Sequence, residues 1–226
     1  MKRRYERNMK ALSAAENERL SGFKACVVGC GGLGGYVIEH LGRLGIGHIT
    51  AVDGDVFEES NLNRQLFSDE TVLGESKAEQ AKLRLGKVNS DVEVTAISEF
   101  LTEDNCEKIL KGHDVVIDAL DNVAVRLMIE NTAGKLNIPL IHGAIAGWYG
   151  QVCVIMPGAP VFCKIYQGVD AVGIENELGN LPFTAAVAAS IEAAEAVKVM
   201  LGREDVLTGK ILAFDLLGGE FEVFEI

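Results

Sequence analysis

The stretch Lys24 to Gly34, KACVVGCGGLG, constrains the fold more than any other part of this chain. A short apolar run breaks into Gly29, Gly31, Gly32 and Gly34, and an amphipathic segment from Tyr36 to Leu44 follows. This reads as a strand, a glycine turn and the start of a helix. Glycine suits such a turn because a Cβ would hold the backbone away from a ligand's phosphates, while free N–H groups and the positive end of the helix dipole attract an anion. A nucleotide is the expected ligand.

The residues His48 to Val52 read as a second strand that ends at Asp53, with Asp55 two residues on. A carboxylate at that strand end accepts hydrogen bonds from ribose hydroxyls. As far as Asp55, the pattern fits an NAD-type dehydrogenase or another dinucleotide-binding module equally well.

Composition narrows the setting. With 226 residues, 48% of them apolar, and only four prolines, the chain can bury one sizeable core, and no shift in composition marks a second domain. One unit spanning 1–226 is expected. Thirty-three acidic residues against 21 basic ones give a formal charge of −12, which repels phosphate backbones and counts against nucleic acid as a partner. The start, MKRRYERNMK, is basic but lacks the apolar core of a signal peptide, so a cytoplasmic location is expected. The longest apolar stretch, Phe183 to Leu201, carries Glu192, Glu195 and Lys198 and reads as a buried or amphipathic helix, not a membrane span. The five cysteines, Cys26, Cys30, Cys106, Cys153 and Cys163, form no CxxC pair. They suggest neither a disulfide framework nor a tetrahedral zinc site.

Beyond Asp53 the pattern alternates. A helix from Glu75 to Val88, a strand from Val92 to Ile97, a helix from Glu103 to Lys111 and a strand from Val115 to Ile117 lead to a helix from Val123 to Leu136 and a strand from Pro139 to Ala144. Strands alternating with helices imply a parallel, right-handed α/β arrangement. Tyr149 to Met156 and two strands in Lys210 to Ile226, around Gly218-Gly219, read instead as antiparallel. The expected fold is thus Rossmann-like: a mixed sheet, parallel in the N-terminal half and antiparallel in the C-terminal half, with helices on both faces. Residues 1–22 read as an N-terminal arm. The segment 164–181, KIYQGVDAVGIENELGNL, has no clear periodicity and is expected to be a mobile crossover loop or a plain surface connection.

Chemistry concentrates after the ribose-binding strand, in Ser60-Asn61-Leu62-Asn63-Arg64-Gln65 and in Lys77 at the start of the next helix. A dinucleotide's pyrophosphate is satisfied by a glycine turn, whereas a triphosphate's extra charge asks for an arginine fork and a lysine point charge. Asp118 and Asp121 stand at the carboxyl end of the Val115 strand, the edge where open α/β sheets bind ligands, and a carboxylate there suits Mg²⁺. Cys30, inside the glycine turn, reads as a packing residue. Trp148 reads as cover for the core where the sheet changes direction. His40, His48, His113 and His142 share no spacing that would make a metal site or a catalytic base.

Taken together, RYERN at the start, GCGGLG at Gly29 to Gly34, DGD at Asp53 to Asp55, SNLNRQ at Ser60 to Gln65, the lone Lys77 and DALDN at Asp118 to Asn122 resemble the MoeB/ThiF/HesA family. These are ATP-dependent activators, or adenylyltransferases, of ubiquitin-like sulfur-carrier proteins. The resemblance runs from Arg4 to the final hairpin. It implies ATP and Mg²⁺ as cofactors, with Gly29, Gly31, Gly32, Gly34, Asp53, Asp55, Asn61, Asn63, Gln65 and Asn122 around the nucleotide. In particular, it gives Asp53 to the ribose, Asn61, Arg64 and Lys77 to the phosphates, Asp121 to the metal, and Arg7 to the ATP of a partner subunit in a homodimer. The implied reaction is attack by the C-terminal glycine carboxylate of a small carrier ending in Gly-Gly on the α-phosphorus of ATP. Pyrophosphate leaves, and the acyl-adenylate then accepts sulfur, as in molybdopterin or thiamine biosynthesis. The chain departs from many relatives in keeping only Cys163 where they hold zinc with two CxxC pairs, and in having no cysteine in the 164–181 segment where thioester-forming relatives have one. Zinc is not expected, nor is a covalent carrier intermediate. Two alternatives stand beside this reading: a tRNA threonylcarbamoyladenosine dehydratase of the same superfamily, against which the negative charge argues, and a dehydrogenase or other NAD-binding module.

Overall fold

A computed structural model describes residues 2–166 and 175–226. Eight strands form one sheet in the order β3-β2-β1-β4-β5-β6-β7-β8. They are β1 (Lys24–Val28), β2 (His48–Val52), β3 (Glu93–Ile97), β4 (Val115–Asp118), β5 (Leu140–Ala146), β6 (Tyr149–Ile155), β7 (Lys210–Asp215) and β8 (Glu220–Glu225). The first five run parallel and the last three antiparallel, as the sequence predicts. The change of direction follows from connection length. The parallel strands are joined through helices, whereas β5 and β6 are joined by a tight turn at Gly147, whose φ is +57°.

Eight α-helices accompany the sheet among the described residues: α1 (Ala14–Leu20), α2 (Gly34–Leu44), α3 (Lys77–Val88), α4 (Glu103–Leu110), α5 (Val123–Leu136), α6 (Phe162–Ile165), α7 (Glu175–Leu178) and α8 (Pro182–Leu201). One buried cluster lies between the sheet and α2, α3 and α8. It includes Val27, Ile49, Ile117, Ile38, Leu85 and Ala189. The second, with Val28, Val116, Leu110 and Ile129, lies under α4 and α5. Strand residues alternate between the clusters because a strand points successive side chains to opposite faces. Near the outer strands β7 and β8 the α4–α5 face carries a cavity. No described helix is long and apolar enough to cross a membrane.

The N-terminal arm is folded rather than frayed. A 3-10 turn at Arg3–Asn8 is tied down by Lys2 to Asp91 (2.5 Å), by Arg4 to Asn89, and by the Tyr5 hydroxyl, which accepts from Asn89 Nδ2 at 2.8 Å. Helix α1 begins with a reciprocal capping box between Ser13 and Glu16. Of the predicted crossover segment, residues 164–166 and 175–181 are described and 167–174 lie outside the described residues. Trp148 corrects the expectation that it covers core. It stands in the β5–β6 turn, 39% exposed, with its ring 4.8 Å from that of Phe183, itself exposed. The turn is held by Gly179 O, which accepts from Gly147 N at 2.7 Å, and by Thr184 Oγ1, which donates to Gly147 O at 2.8 Å, and the indole lies over the start of α8 instead of the core.

Candidate active site

Strand β1 lies at the point where the chain's connections turn to opposite sides, β2 and β3 on one flank and β4 and β5 on the other. Open α/β sheets bind ligands in the crevice this creates at the carboxyl ends of the strands. A cavity of about 350 Å³ lies there. The glycine turn forms one wall and divides its labour. Gly29, at φ +95°, could not carry a Cβ, which would sit 2.6 Å from the Ala119 carbonyl oxygen; a Cβ on Gly34 would sit 1.7 Å from the Gly29 carbonyl oxygen. These two glycines let the turn close against β4 and start α2. Gly31 and Gly32 line the cavity itself. Leu33, which precedes α2, gives no side-chain cap, so the helix presents backbone N–H groups at this end.

The polar lining comes from neighbouring strand ends. Asp53 is held by two backbone donors, Cys30 N to Oδ2 at 2.7 Å and Asp55 N to Oδ1 at 2.8 Å. Burial raises its pKa, and these N–H groups oppose the rise. Both fix the carboxyl's orientation while leaving it lone pairs for a ligand hydroxyl. Lys77, the first residue of α3, is only 7% exposed, and its Nζ lies 3.2 Å from Asp55 Oδ2. A buried ammonium paired with a half-exposed carboxylate retains donors for phosphate oxygens. Arg64 Nη1 donates to Ser60 O (3.1 Å) and Asn63 Oδ1 (2.9 Å), which sets the guanidinium beside Gly32. Gln65, 7% exposed, faces Gly31, and its Oε1 has no hydrogen-bond partner among the described residues. Asp121 and Asn122 complete the polar rim; Asn122 caps α5 by accepting from Val125 N at 3.1 Å. Phe100, Leu101 and Leu120 give the cavity an apolar side.

Several sequence-predicted residues stand elsewhere. Asn61 does not line the cavity; its Oδ1 accepts from Glu58 N at 3.0 Å and closes the 3-10 turn Glu59–Asn61. Asn63 is a strut, accepting from Arg64 and donating to Asn180 O at 3.1 Å. Gly34 serves the turn. Asp118, read from the sequence as a ligand-edge carboxylate beside Asp121, is 0% exposed and bound to His142, because the last residue of β4 points between strand and helix α5 rather than into the crevice. Arg7 is exposed on a turn that Tyr5 seats against Gly45, past the far end of α2. The 11 residues of α2 put roughly 16 Å between that end and the glycine turn. Arg126, His142 and Tyr166 were not singled out by sequence reasoning, since they share no local spacing.

A second cavity, of about 440 Å³, opens on the α4–α5 face of β5 to β8. Ala146, Ala213 and Phe224 give it apolar walls and Glu220 and Glu222 an acidic rim. Arg126, Ala144 and Ile145 line both cavities, so the two adjoin.

These features define a nucleotide-binding α/β protein with a cationic phosphate cradle and an adjoining cleft. Residues 5–226 match the ThiF family, and the chain belongs to it. It is 33% identical to the SAMP-activating enzyme E1 of Haloferax volcanii, over 97% of this chain and 83% of that protein. It is 36% identical to the sulfur carrier protein adenylyltransferase of Thermus thermophilus, over 96% and 84%. Against the adenylyltransferase and sulfurtransferase MOCS3 of Drosophila sechellia the identity is 35% over 87% of this chain, which spans only 44% of that longer protein. Among solved structures, E. coli MccB with ATP shares the fold, with a TM-score of 0.87 and 22% identity over 100% of this chain and 71% of that one.

Proposed function

We propose that this protein is an ATP-dependent adenylyltransferase acting on the C-terminal glycine carboxylate of a small ubiquitin-like sulfur carrier. The observation that carries the reading is the junction of the two cavities at Arg126, Ala144 and Ile145. A nucleotide in the first has its α-phosphorus reachable by a chain end laid in the second. The names of the Haloferax and Thermus relatives point to the same kind of substrate.

In this reading Asp53 takes the ribose hydroxyls, and the apolar side at Phe100 and Leu101 takes the base. Arg64 and Lys77 hold the triphosphate, and the buried Gln65 amide packs behind Gly31 and backs the glycine turn. The carboxylate oxygen of the carrier attacks the α-phosphorus, a P–O bond forms, and the bond to pyrophosphate breaks. No side chain acts as nucleophile. The chain's contribution is alignment, together with cationic groups set in advance where charge builds up on the phosphates. Asp121, with oxygen donors at the cavity rim, fits Mg²⁺, which when bound would neutralise phosphate charge. We assign no zinc, because the region around Cys163 offers a single thiol. Arg7 is assigned to the partner's nucleotide in a homodimer; its distance from its own protomer's cavity supports that placement. The acyl-adenylate then serves a sulfur donor.

The test is ATP–pyrophosphate exchange with purified ubiquitin-like carriers ending in Gly-Gly. Exchange is expected only when carrier, ATP and Mg²⁺ are all present, and a carrier lacking its last glycine should be inert. Exchange that is indifferent to the carrier's C-terminus would overturn the assignment.

A further inference from the structure

Five residues close a ring of hydrogen bonds between the two cavities. Asp118 Oδ2 lies 2.8 Å from His142 Nδ1, and His142 Nε2 lies 3.1 Å from the Tyr166 hydroxyl. Arg126 Nη1 donates to that hydroxyl at 2.8 Å, and Arg126 Nη2 donates to the Leu120 carbonyl. The Leu120 N–H returns to Asp118 Oδ1 at 3.1 Å, and Arg126 Nε faces Asp118 Oδ2 at 3.5 Å. Asp118 and His142 are fully buried, and Arg126 nearly so.

The ring has one direction. Burial lowers the pKa of His142, against the pull of Asp118, and keeps the imidazole neutral near pH 7. The carboxyl can only accept, so Nδ1 carries the proton and Nε2 accepts from Tyr166. The tyrosine oxygen is then free to accept from Arg126. Such a buried cycle holds its members in one arrangement, because removing any one leaves two others unsatisfied. Its members divide between the sites: Tyr166 lines the cleft, Leu120 the nucleotide cavity, and Arg126 both.

We infer that Tyr166 and Arg126 are positioning residues, and that through the Leu120 carbonyl they set the Leu120–Asn122 loop for the nucleotide, so that contact of a carrier tail with Tyr166 is felt at the ATP site. This rests on the adenylyltransferase reading. A coupling of this kind needs a physical link that both sites bias, and the ring supplies one.

The experiment is calorimetric titration of Mg-ATP into the full chain with no carrier present. Tyr166 does not line the nucleotide cavity, yet Tyr166→Phe, which takes two hydrogen bonds from the ring, is expected to weaken Mg-ATP binding about fivefold. His142→Leu should do the same. His142→Gln, whose amide can donate to Asp118 and accept from Tyr166, should bind as wild type does. Equal affinity in wild type and Tyr166→Phe overturns the inference, as does an equal loss in His142→Gln and His142→Leu, which would make packing rather than the ring responsible. A wild-type chain that fails to bind Mg-ATP removes the adenylyltransferase reading, and the inference with it.

Discussion

Arg64 and Lys77 illustrate how a charged residue becomes a ligand-binding one through its surroundings. Arg64 is oriented by Ser60 and Asn63, and Lys77 is buried beside Asp55 at the start of α3. Holding the Lys77 ammonium out of water costs free energy that its pairing with Asp55 at most offsets, so the arrangement serves a ligand better than it serves folding. Arg64→Ala, Lys77→Ala and Asp121→Ala are each expected to lower carrier-dependent ATP–pyrophosphate exchange by roughly a hundredfold or more, as losing a preorganised charge-stabilising group does. Their melting temperatures should stay near wild type. Near-normal exchange in any two of them would displace the site. Asp121 was legible because it lies three residues past the end of β4, at the ligand edge of the sheet, and Arg64 and Lys77 because they stand in the SNLNRQ segment and at a helix start that resemble a known family's motifs. The ring of Asp118, Arg126, His142 and Tyr166 was not, because its members lie on β4, α5, β5 and the end of α6, and it takes both the pairing of β4 with β5 and the packing of α5 on α6 to bring them together. Asp118 looked like Asp121 in the sequence; the first is the last residue of β4 and faces α5, whereas the second lies three residues on, in the loop that lines the cavity.

At the level of elements, α8 shows what close packing on a sheet demands. Ala185, Ala188, Ala189, Ala193 and Ala196 are buried on it, small enough for the helix to lie close to β5 and β6. Glu192 interrupts that face. It is fully buried with both carboxyl oxygens unpartnered among the described residues, and it occupies the space beside Gly143, where a Cβ would sit 2.4 Å from Glu192 Cδ. Burial raises its pKa well above the ordinary 4.5, and Asp118 adds to the rise. The folded chain therefore keeps a proton that the unfolded chain loses above about pH 4.5, so this group's contribution to stability falls as pH rises from there toward the folded pKa. Glu192→Gln removes the ionisation and keeps the shape. Since 1 kcal/mol moves the melting midpoint of a chain this size by about 2–4 °C, the variant should melt a few degrees above wild type at pH 8 and level with it near pH 4. A pH-independent difference would count against a buried neutral carboxyl. The alternation that revealed the strands and long helices is a property of core-facing residues. Helix α1 escaped it, being mostly polar, although Ser13 followed three residues later by Glu16 is the capping-box signal that marks its start.

The whole molecule raises the question of whether one chain makes a complete site. The arm that carries Arg7 is fastened to Gly45, Asn89 and Asp91, at the opposite end of α2 from the glycine turn. An arginine there is fixed relative to the fold yet remote from its own cavity, a placement suited to a neighbouring protomer related by a twofold axis. In the proposed homodimer each site combines Asp121 of one protomer with Arg7 of the other. Arg7→Ala and Asp121→Ala should then each be inactive alone. When the two proteins are mixed and allowed to exchange subunits, half of the dimers become mixed, and in each of those one site has both residues intact while the other has neither. About a quarter of wild-type exchange activity should return, as the two-site symmetry requires. If Arg7 instead acts within its own chain, no combination restores an intact site. Absence of rescue after demonstrated subunit exchange, or full activity in a strictly monomeric preparation, would therefore exclude the shared site.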